Sequence, residues 1–458
     1  MLRDSPFGNR TCGVIMTALI SHPASALTGD IPVPGDKSIS HRALMLAALA
    51  VGESRISGLL EGEDVLRTRD ALRALGVTIG QVPNGDWAVH GVGIGGFHEP
   101  SSPLDMGNSG TSARLMMGLL ATTPLTAVFH GDCSLSARPM GRVIEPLSQF
   151  GAVFQSRQGT RLPIALTGAE APLPVTCRTR VPSAQVKSAI LLAGLNAPGR
   201  TTVEEETATR DHTERMLDLF GAEIETDQEN GILRITLTGQ PELSPASISV
   251  PGDPSSAAFP IVAALLTQGS DITVRNVCIN PLRIGLFQVL RKMGADIIFE
   301  NERLQSGEPV ADISVRTGSL SAIEPDPAIA ACMIDEFPIL FVAAACAKGR
   351  SVFHGLKELR VKESDRLHVM AEGLKANGVA VEEFEDGIAI EGCSGPPPGG
   401  GKVQTHLDHR IAMSFLMLGL AAENPIVIDN ERHIATSFPG FAGLMNGLGA
   451  KIGPGDSA

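Results

Sequence analysis

Leu75-Gly76-Val77 closes an amphipathic helical pattern and leads into a strand-like run. A glycine in the same setting, followed by alanine or valine, recurs at five further places: Phe150-Gly151-Ala152, Phe220-Gly221-Ala222, Met293-Gly294-Ala295, Asn377-Gly378-Val379 and Leu448-Gly449-Ala450. Successive glycines are 75, 70, 73, 84 and 71 residues apart. Because glycine favours the left-handed conformation just past a helix, each tripeptide predicts a helix end followed by a strand.

A second pattern precedes each of these glycines by 38 to 43 residues. A small or polar residue opens a helical stretch that is apolar or small on nearly every side. The six stretches are Lys37 to Ala50, Asn108 to Ala121, Ser183 to Leu195, Gly252 to Leu266, Asp335 to Ala347 and Asp408 to Ala422. Helices without a polar face are buried helices. The chain is therefore predicted to repeat one unit six times, each with a buried helix, an amphipathic helix and several strands.

Six units suit two domains of three, with a boundary near the polar stretch 240–249. The alternative, an open solenoid, is disfavoured because solenoid repeats usually run about 20–50 residues. The length of 458 residues agrees with two or three domains and with a core that needs no disulfide or metal staple. A hydrophobic fraction of 43% and a charged fraction of 19% exclude a wholly disordered chain.

Charge and cysteine content narrow the functional classes. The net charge is −13 and no Lys/Arg-rich run occurs, which disfavours nucleic acid as a partner. Seven cysteines without a C-x-x-C pair fit a reducing cytosol, so we expect a cytoplasmic protein. The apolar run 13–20 is too short to span a bilayer, so no membrane association is expected. Met16 within it is a candidate natural start.

Polar residues recur at one phase of the unit. Several open the buried helices: Lys37-Ser38, Asn108-Ser109-Gly110-Thr111, Ser183-Ala184-Gln185, Asp335-Glu336 and His409-Arg410. Four arginines stand 11 to 13 residues before the glycine that ends an amphipathic helix, which predicts them in its first turns: Arg138, Arg210, Arg283 and Arg366. If the units are related by symmetry, these helix starts face one another across a cleft.

Cations at helix starts point to an anionic ligand. Helix N-termini carry free N–H groups and a positive partial charge. Lys37 and Arg410 at such positions therefore destabilise the fold unless a bound anion compensates their charge. We therefore expect a small molecule that bears phosphate or carboxylate groups. The alternative for each single arginine is an ion pair with a nearby acid on the surface.

Two other motifs carry no site. Residues 91–96 match G-x-G-x-x-G, yet prolines at 100 and 103 stand where a dinucleotide-binding helix would begin. His406 and His409 are close in sequence, but no further clustered ligand supports a metal, so neither metal nor cofactor is expected.

Five strings resemble the signatures of the 5-enolpyruvylshikimate-3-phosphate (EPSP) synthase family, over about residues 33–452. They are Asp36-Lys37-Ser38-Ile39-Ser40-His41-Arg42-Ala43-Leu44, Gly107-Asn108-Ser109-Gly110-Thr111, Arg138-Pro139-Met140-Gly141, Arg360-Val361-Lys362-Glu363-Ser364-Asp365-Arg366 and Asp408-His409-Arg410-Ile411-Ala412-Met413. The resemblance implies an α/β fold of two domains, each built from three βαβαββ units as an inside-out barrel, with the active site in the cleft between them. The expected domains are 35–248 and 1–34 plus 249–458.

The resemblance implies transfer of the enolpyruvyl group of phosphoenolpyruvate to the 5-hydroxyl of shikimate 3-phosphate by a monomer. Asp335 would take the hydroxyl proton, Glu363 would protonate the methylene carbon, and Lys37 would touch both substrates and stabilise the tetrahedral intermediate. The other implied contacts are Arg138, Arg366 and Arg410 with phosphoenolpyruvate; Asn108, Gly110 and Thr111 in its pocket; Ser38, Arg42, Ser183, Ala184, Gln185 and Arg210 with shikimate 3-phosphate; and His409 as a positioning neighbour. Lys362 and Arg114 stay open between substrate contacts and inter-domain pairs.

The chain departs from the family pattern at three points. Thr436 stands where many relatives carry Lys, and Glu358 stands where some relatives carry Asn. The chain also has no tyrosine. These differences resemble a divergent bacterial subclass often insensitive to glyphosate, whereas Gly110 is the small residue of sensitive forms.

Two alternatives remain. The sister transferase that modifies UDP-N-acetylglucosamine carries a catalytic cysteine in the motif Gly-x-Cys-x-x-x-Ala-Arg-Pro. Residues 131–139 match this motif, with Cys133 at the position of the cysteine. The Lys362-to-Arg366 string favours the shikimate enzyme, with Cys133 as a bystander. A catalytically silent scaffold is the second alternative, and retention of Asp335, Glu363 and Lys37 disfavours it.

Overall fold

A computed structural model describes residues 17–455 of the chain. Segments 1–16 and 456–458 lie outside the described residues, and with them the predicted start at Met16. Within the described range no helix has both the length and the apolar character needed to cross a membrane.

Fourteen α-helices form within residues 17–455: α1 (Lys37–Leu49), α2 (Glu63–Ala74), α3 (Gly110–Leu120), α4 (Cys133–Ala137), α5 (Gly141–Ser148), α6 (Ala184–Gly194), α7 (His212–Leu219), α8 (Pro254–Leu266), α9 (Gly285–Lys292), α10 (Ala330–Met333), α11 (Phe337–Cys346), α12 (Arg366–Ala376), α13 (His409–Ala421) and α14 (Phe441–Gly447). Short 3-10 helices cover Pro327–Ile329, Lys357–Val361 and Ile434–Thr436.

The same range contains these strands: β1 (Leu19–His22), β2 (Thr28–Pro32), β3 (Gly52–Ser57), β4 (Thr78–Gln81), β5 (Trp87–Gly91), β6 (Leu104–Asp105), β7 (Thr126–His130), β8 (Val153–Arg157), β9 (Arg161–Thr167), β10 (Thr176–Arg178), β11 (Arg200–Glu205), β12 (Ile224–Glu229), β13 (Ile232–Thr238), β14 (Ser247–Ser249), β15 (Asp271–Cys278), β16 (Asp296–Gln305), β17 (Glu308–Arg316), β18 (Lys348–Phe353), β19 (Ala380–Glu383), β20 (Ile388–Cys393), β21 (Lys402–Val403), β22 (Ile426–Ile428) and β23 (Lys451–Pro454).

The strands form six sheets of one topology within the described chain. The sheet orders are β14-β3-β5-β4, β6-β7-β9-β8, β10-β11-β13-β12, β16-β17-β15-β2, β18-β20-β19 and β21-β22-β1-β23. In five of them one parallel pair is followed by two antiparallel pairs, as in β14 with β3, β3 with β5 and β5 with β4. In the three-stranded sheet a single parallel bridge from Ser321 to Lys348 replaces the fourth strand. The predicted sixfold repeat is therefore confirmed.

The glycines predicted to end the amphipathic helices adopt the expected conformation. Their φ angles lie between +81° and +109°, and each stands two or three positions after the last residue of α2, α5, α7, α9, α12 or α14. A side chain at this conformation is strained, which explains why glycine recurs at this point of every unit.

Two clusters of buried apolar side chains form the interior. One draws on residues 39–250 together with Cys278, and the other on residues 19–33 and 257–452. The helices α1, α3 and α6 lie in the first cluster, and α8, α11 and α13 lie in the second. These six are the helices predicted to be buried. An open solenoid is wrong, because β1 pairs with β22 and β23 from the far end of the chain.

The chain passes between the two clusters at two neighbouring places. Asp36 donates its backbone N–H to the carbonyl of Pro251 at 2.7 Å, and Gly35 forms an antiparallel bridge with Gly252. A Cβ on Gly35 would lie 2.0 Å from the carbonyl oxygen of Gly58, so only glycine allows this close approach. Helices α1 and α8 begin directly after these crossings, which brings their N-termini together.

Candidate active site

The N-termini of the buried helices carry matching caps. Aspartate or serine side chains accept a backbone N–H at the start of five of the six: Asp36 for α1, Ser109 for α3, Ser183 for α6, Asp253 for α8 and Asp408 for α13. Helix α11 has no side-chain cap and starts just after Asp335 and Glu336. The caps satisfy only some of the free N–H groups, so these helix ends keep a positive partial charge.

Two carboxylates from the part of the chain that forms the second cluster pair with arginines from both parts of the chain. Asp335 accepts from Arg210 at 2.6 Å and from Arg366 at 3.3 Å. Glu363 accepts from Arg366 at 2.7 Å and from Arg138 at 3.3 Å. Since Arg138 and Arg210 belong to the segment that forms the first cluster, these bonds connect the two halves of the molecule. The structure thus brings together Asp335, Arg366, Arg138 and Arg210, four of the polar residues that recur at this phase of the unit.

Both carboxyl groups are held in the ionised form. Burial by itself would raise their pKa values, but the surrounding cations outweigh it and lower both well below the ordinary range. Arg410 contributes most among the cations at Asp335, and Arg366 contributes most at Glu363. Burial lowers the pKa of His409 well below its ordinary value, with Lys37 and Arg410 adding to the effect, so its imidazole is neutral.

Arg366 is fixed from behind by Asp408. The guanidinium is 1% exposed and donates through Nε to Asp408 Oδ2 at 2.8 Å and through Nη2 to Oδ1 at 3.3 Å. Asp408 also accepts from Ser364 Oγ at 3.0 Å and caps α13 through the backbone N–H of Arg410 at 3.0 Å. One buried carboxylate therefore aligns the start of α13 with the loop that carries Glu363.

Lys37 is the first residue of α1 and lies at the crossing between the clusters. Its ammonium group donates to Asp64 Oδ2 at 3.0 Å, and its backbone N–H donates to Asp253 Oδ2 at 3.2 Å. Lys37 therefore has a counter-ion in the absence of substrate.

Arg42 is buried in α1 and is oriented by neutral groups. Its Nε donates to Thr213 Oγ1 at 2.7 Å, its Nη2 to Ser188 Oγ at 2.6 Å and its Nη1 to the carbonyl of Ser38 at 2.9 Å. No carboxylate of the described chain lies within ion-pair distance of this guanidinium. Burial lowers the pKa of Arg42 to about 10. A buried, uncompensated guanidinium favours an anionic ligand.

Helices α3 and α6 are joined at their N-termini through Gln185. Its Nε2 donates to Thr111 Oγ1 at 2.9 Å, and its Oε1 accepts from Arg114 Nη1 at 2.8 Å. Ser183 caps α6 and Ala184 is its first residue, so the predicted Ser-Ala-Gln group lies at this junction. Gly110 opens α3 beside it.

Asn108 lies just before α3 and connects it to the arginine that meets Glu363. Its Oδ1 accepts from Arg138 Nη2 at 2.7 Å, and its Nδ2 donates to Asp132 Oδ2 at 2.6 Å. Arg138 also donates to Ser134 Oγ at 3.1 Å, so its side chain has partners on both sides.

Lys362 and Arg410 are held less tightly. Lys362 follows a short 3-10 helix, and burial lowers its pKa, with Asp335 opposing the shift. Arg410 is the second residue of α13 and its side chain is 9% exposed; the nearest carboxylate is Glu336, with 3.9 Å between Nη1 and Oε1.

The placement of three arginines in the first turn of a helix is wrong. Arg138, Arg210 and Arg283 precede α5, α7 and α9 by two or three residues, and only Arg366 begins its helix. The helices α5, α7 and α9 have only eight residues each, so the preceding loop carries the arginine.

Arg283 differs from the other three in its partners. It is 2% exposed and donates to Asp36 at 2.8 Å, to Asp253 at 3.0 Å and to Ser255 at 3.0 Å. Its Nη1 also contacts His212 Nε2 at 3.1 Å, so all four N–H groups of the two terminal nitrogens have partners. Because Asp36 and Asp253 cap α1 and α8, Arg283 aligns these two helix starts and has no terminal donor left for a ligand.

Sequence reasoning assigned no role to several supporting residues. Asp64 pairs with Lys37, Asp408 holds Arg366, and Ser188 and Thr213 orient Arg42. Asp408 is part of a quoted string, so its motif was a usable signal. The others come from distant units, and no local spacing marks them.

The geometry defines a class of protein. Paired carboxylates, ionised and surrounded by cations and helix N-termini at the junction of two halves, suit an enzyme acting on small molecules with several negative charges. Among the described residues no group of three His, Cys, Asp or Glu side chains has a metal-binding arrangement.

Comparison with known proteins makes the class specific. The family model for EPSP synthase (3-phosphoshikimate 1-carboxyvinyltransferase) matches residues 21–445. The 3-phosphoshikimate 1-carboxyvinyltransferase of Parvibaculum lavamentivorans is 62% identical over 437 residues, covering 95% of this chain and 97% of that protein. The enzyme of the same name from Cereibacter sphaeroides is 58% identical over 442 residues, covering 96% and 98%. The chain belongs to the EPSP synthase family.

Solved structures agree with this assignment. An EPSP synthase from Acinetobacter baumannii superposes with a TM-score of 0.85 at 45% identity, covering 95% of this chain and 100% of that one. An enolpyruvyl transferase, NikO from Streptomyces tendae, has a TM-score of 0.75 at 18% identity and shares the fold.

Cys133, the cysteine of the motif shared with the sister transferase, is exposed at the first position of α4.

Proposed function

We propose that this chain transfers the enolpyruvyl group of phosphoenolpyruvate to the 5-hydroxyl of shikimate 3-phosphate and releases phosphate, a step of aromatic amino acid biosynthesis. The observation that carries the proposal is the pair Asp335 and Glu363, surrounded by Arg138, Arg210 and Arg366 at the junction of the two clusters. Family membership over residues 21–445 supports the choice of reaction.

The two clusters correspond, in this proposal, to two domains of 35–248 and of 1–34 plus 249–458, of which residues 1–16 and 456–458 lie outside the described range. Each domain is proposed to be an inside-out barrel of three βαβαββ units. Three sheets and three buried helices on each side support it. The substrates lie in the cleft between the domains, where the six helix N-termini supply positive potential. A monomeric state, cytoplasmic localisation and the lack of a nucleic-acid partner stay predictions.

The first chemical step is addition. The product keeps a carbon–carbon double bond but has lost phosphate, so the 5-hydroxyl oxygen must bond to C2 of phosphoenolpyruvate while C3 gains a proton. Asp335, ionised and 19% exposed, takes the hydroxyl proton. Glu363 donates the proton to C3, and Lys37 stabilises the tetrahedral intermediate between the two substrates.

The second step is elimination. The bond from C2 to the phosphate oxygen breaks, and the departing phosphate takes the proton that Asp335 removed from the hydroxyl. C3 returns its proton to Glu363, and the double bond forms again. Arg138, Arg366 and Arg410 hold the carboxylate and phosphate of phosphoenolpyruvate, because bidentate guanidinium groups match those oxygens.

Glu363 must gain a proton before it can act as an acid. Without substrate its pKa lies well below the ordinary range because Arg366 and Arg138 outweigh its burial. Phosphoenolpyruvate brings negative charge next to the same arginines, which cancels part of their field and raises the pKa of Glu363 towards the working pH. Substrate binding therefore prepares the acid.

The other predicted contacts divide between the substrates. Ser38, Arg42, Ser183, Ala184, Gln185 and Arg210 bind shikimate 3-phosphate. Lys362 is a further substrate contact in this proposal, with an inter-domain pair as the alternative. The pocket of phosphoenolpyruvate is lined by Asn108, Gly110 and Thr111. His409 is a neutral positioning neighbour, since its low pKa leaves the imidazole without the extra proton that an acid must donate.

Phosphate release from phosphoenolpyruvate tests the proposal, with shikimate 3-phosphate or UDP-N-acetylglucosamine as acceptor in parallel. We expect release with shikimate 3-phosphate alone, and a loss of about 10²–10⁴ in kcat for Asp335→Asn and for Glu363→Gln. Release only with the nucleotide sugar would move the assignment to the sister transferase and Cys133. A lack of phosphate release with both acceptors would favour a non-catalytic scaffold.

A further inference from the structure

Glu336 is a buried carboxylate next to the site with no role in the steps above. It is 2% exposed and precedes α11, directly after Asp335. Its Oε1 accepts a hydrogen bond from Ser255 Oγ, whereas its Oε2 is buried and has no partner among the described residues. A buried carboxylate oxygen without a donor is costly, so this group calls for an explanation.

Among residues 17–455, Arg410 is the cation within ion-pair distance of this carboxylate. Its Nη1 lies 3.9 Å from Glu336 Oε1, which is within ion-pair distance but beyond a hydrogen bond. The guanidinium of Arg410 donates no hydrogen bond to any residue in the described range 17–455. By contrast, Arg138 and Arg366 each donate several, including bonds to Glu363.

We infer that Glu336 acts through Arg410 and weakens the binding of phosphate to this arginine. This inference rests on the proposed function, in which Arg410 binds the phosphate of phosphoenolpyruvate and then the released phosphate. Glu336 compensates Arg410 while the site is empty. When phosphate is bound on the open side of Arg410, Glu336 stays behind it and repels the anion, which favours phosphate release.

The geometry makes charge, and not orientation, the main effect of Glu336 on Arg410. Orientation depends on hydrogen bonds, and 3.9 Å is too long for one. Coulomb repulsion falls slowly with distance and acts strongly where water is excluded. Ser255 also keeps the carboxylate in place, because it donates to the same oxygen, Oε1, while accepting from the buried Arg283.

Glu336→Gln tests the inference, since glutamine keeps the volume and an acceptor for Ser255 but removes the charge. We expect the inhibition constant of inorganic phosphate against phosphoenolpyruvate to fall about fiftyfold at pH 8, from the repulsion of one unit of negative charge over about 7 Å at an effective dielectric constant of about 20. The KM of phosphoenolpyruvate should fall as well, whereas the KM of shikimate 3-phosphate should stay within about twofold. A merely structural role would weaken both substrates.

The matched control is Glu382→Gln, an exposed glutamate paired with Arg350 on the surface, which should leave phosphate inhibition unchanged. Glu336→Asp serves if the glutamine variant does not fold, because the shorter side chain withdraws the charge from Arg410 and should lower the inhibition constant about threefold. An unchanged or raised inhibition constant in a folded Glu336 variant overturns the inference. Lack of turnover in the wild-type enzyme would instead count against the proposed function.

Discussion

Replacing Asp408 by asparagine tests whether one buried carboxylate holds the site together. Asp408 is fully buried and accepts four hydrogen bonds, from Arg366 Nε and Nη2, from Ser364 Oγ and from the backbone N–H of Arg410. Asparagine can keep its carbonyl oxygen towards the N–H of Arg410 and so retain the helix cap. Its amide group would then face Arg366 Nε, so that two donors meet.

The structure allows the cost to be estimated. Breaking a buried ion pair costs about 3–5 kcal/mol when the remaining charge has no other partner. Here Arg366 keeps Glu363 at 2.7 Å and Asp335 at 3.3 Å, which reduces the cost. Ser364 can rotate its hydroxyl and accept from the new amide. We therefore expect the free energy of unfolding to fall by about 2–4 kcal/mol, the cost of one unpaired charged donor and a weakened pair.

Activity should fall with stability, because Arg366 also contacts both carboxylates of the site. We expect kcat/KM to fall about tenfold to a hundredfold as its guanidinium turns away from Asp408. Urea unfolding and phosphate release measure the two quantities. The control is Asp271→Asn, since Asp271 pairs with Arg316 at 3.1 Å on the surface and should cost under about 0.5 kcal/mol. Equal effects of the two variants would refute the reasoning.

Three further predictions each concern one residue. Gly110→Ala places a Cβ 2.7 Å from Arg114 Nη1 and 3.4 Å from Arg138 Nη1; we expect the glyphosate inhibition constant to rise about tenfold by crowding, and unchanged inhibition would remove the steric argument. Cys133→Ala should leave turnover with shikimate 3-phosphate near normal, because the thiol is exposed; a collapse in turnover would favour the sister transferase. Burial would raise the pKa of Asp36, but Arg283 and other cations outweigh it and lower it from 3.8 to about 2. Its contribution to stability is present above pH 4 and is lost as the pH falls through 2, so the stability gap between wild type and Asp36→Asn should narrow between pH 4 and 2; a constant gap in denaturant unfolding would contradict this.

Patterns along the chain predicted most of the architecture. The six glycines, such as Gly76 and Gly449, mark six helix ends because glycine adopts a positive φ without the steric cost that other residues have there. The six apolar helices were identifiable because a helix without a polar face has only one environment that suits it. The short loops that carry Arg138 and Arg210 were not, since helix boundaries depend on local contacts that periodicity does not encode.

The sequence by itself determined the repeat, the buried helices, the resemblance to a family and the set of charged residues at the helix starts. Only the tertiary structure decided which charges meet. Arg283 has the same phase as Arg366, yet it aligns two helix caps, whereas Arg366 joins both carboxylates of the site. Ion pairs between residues 125 or 225 positions apart, such as Arg210 with Asp335 and Arg138 with Glu363, depend on how six similar units pack. A residue's own sequence neighbours carry no record of that packing, because Coulomb interactions depend on distance in space and not along the chain.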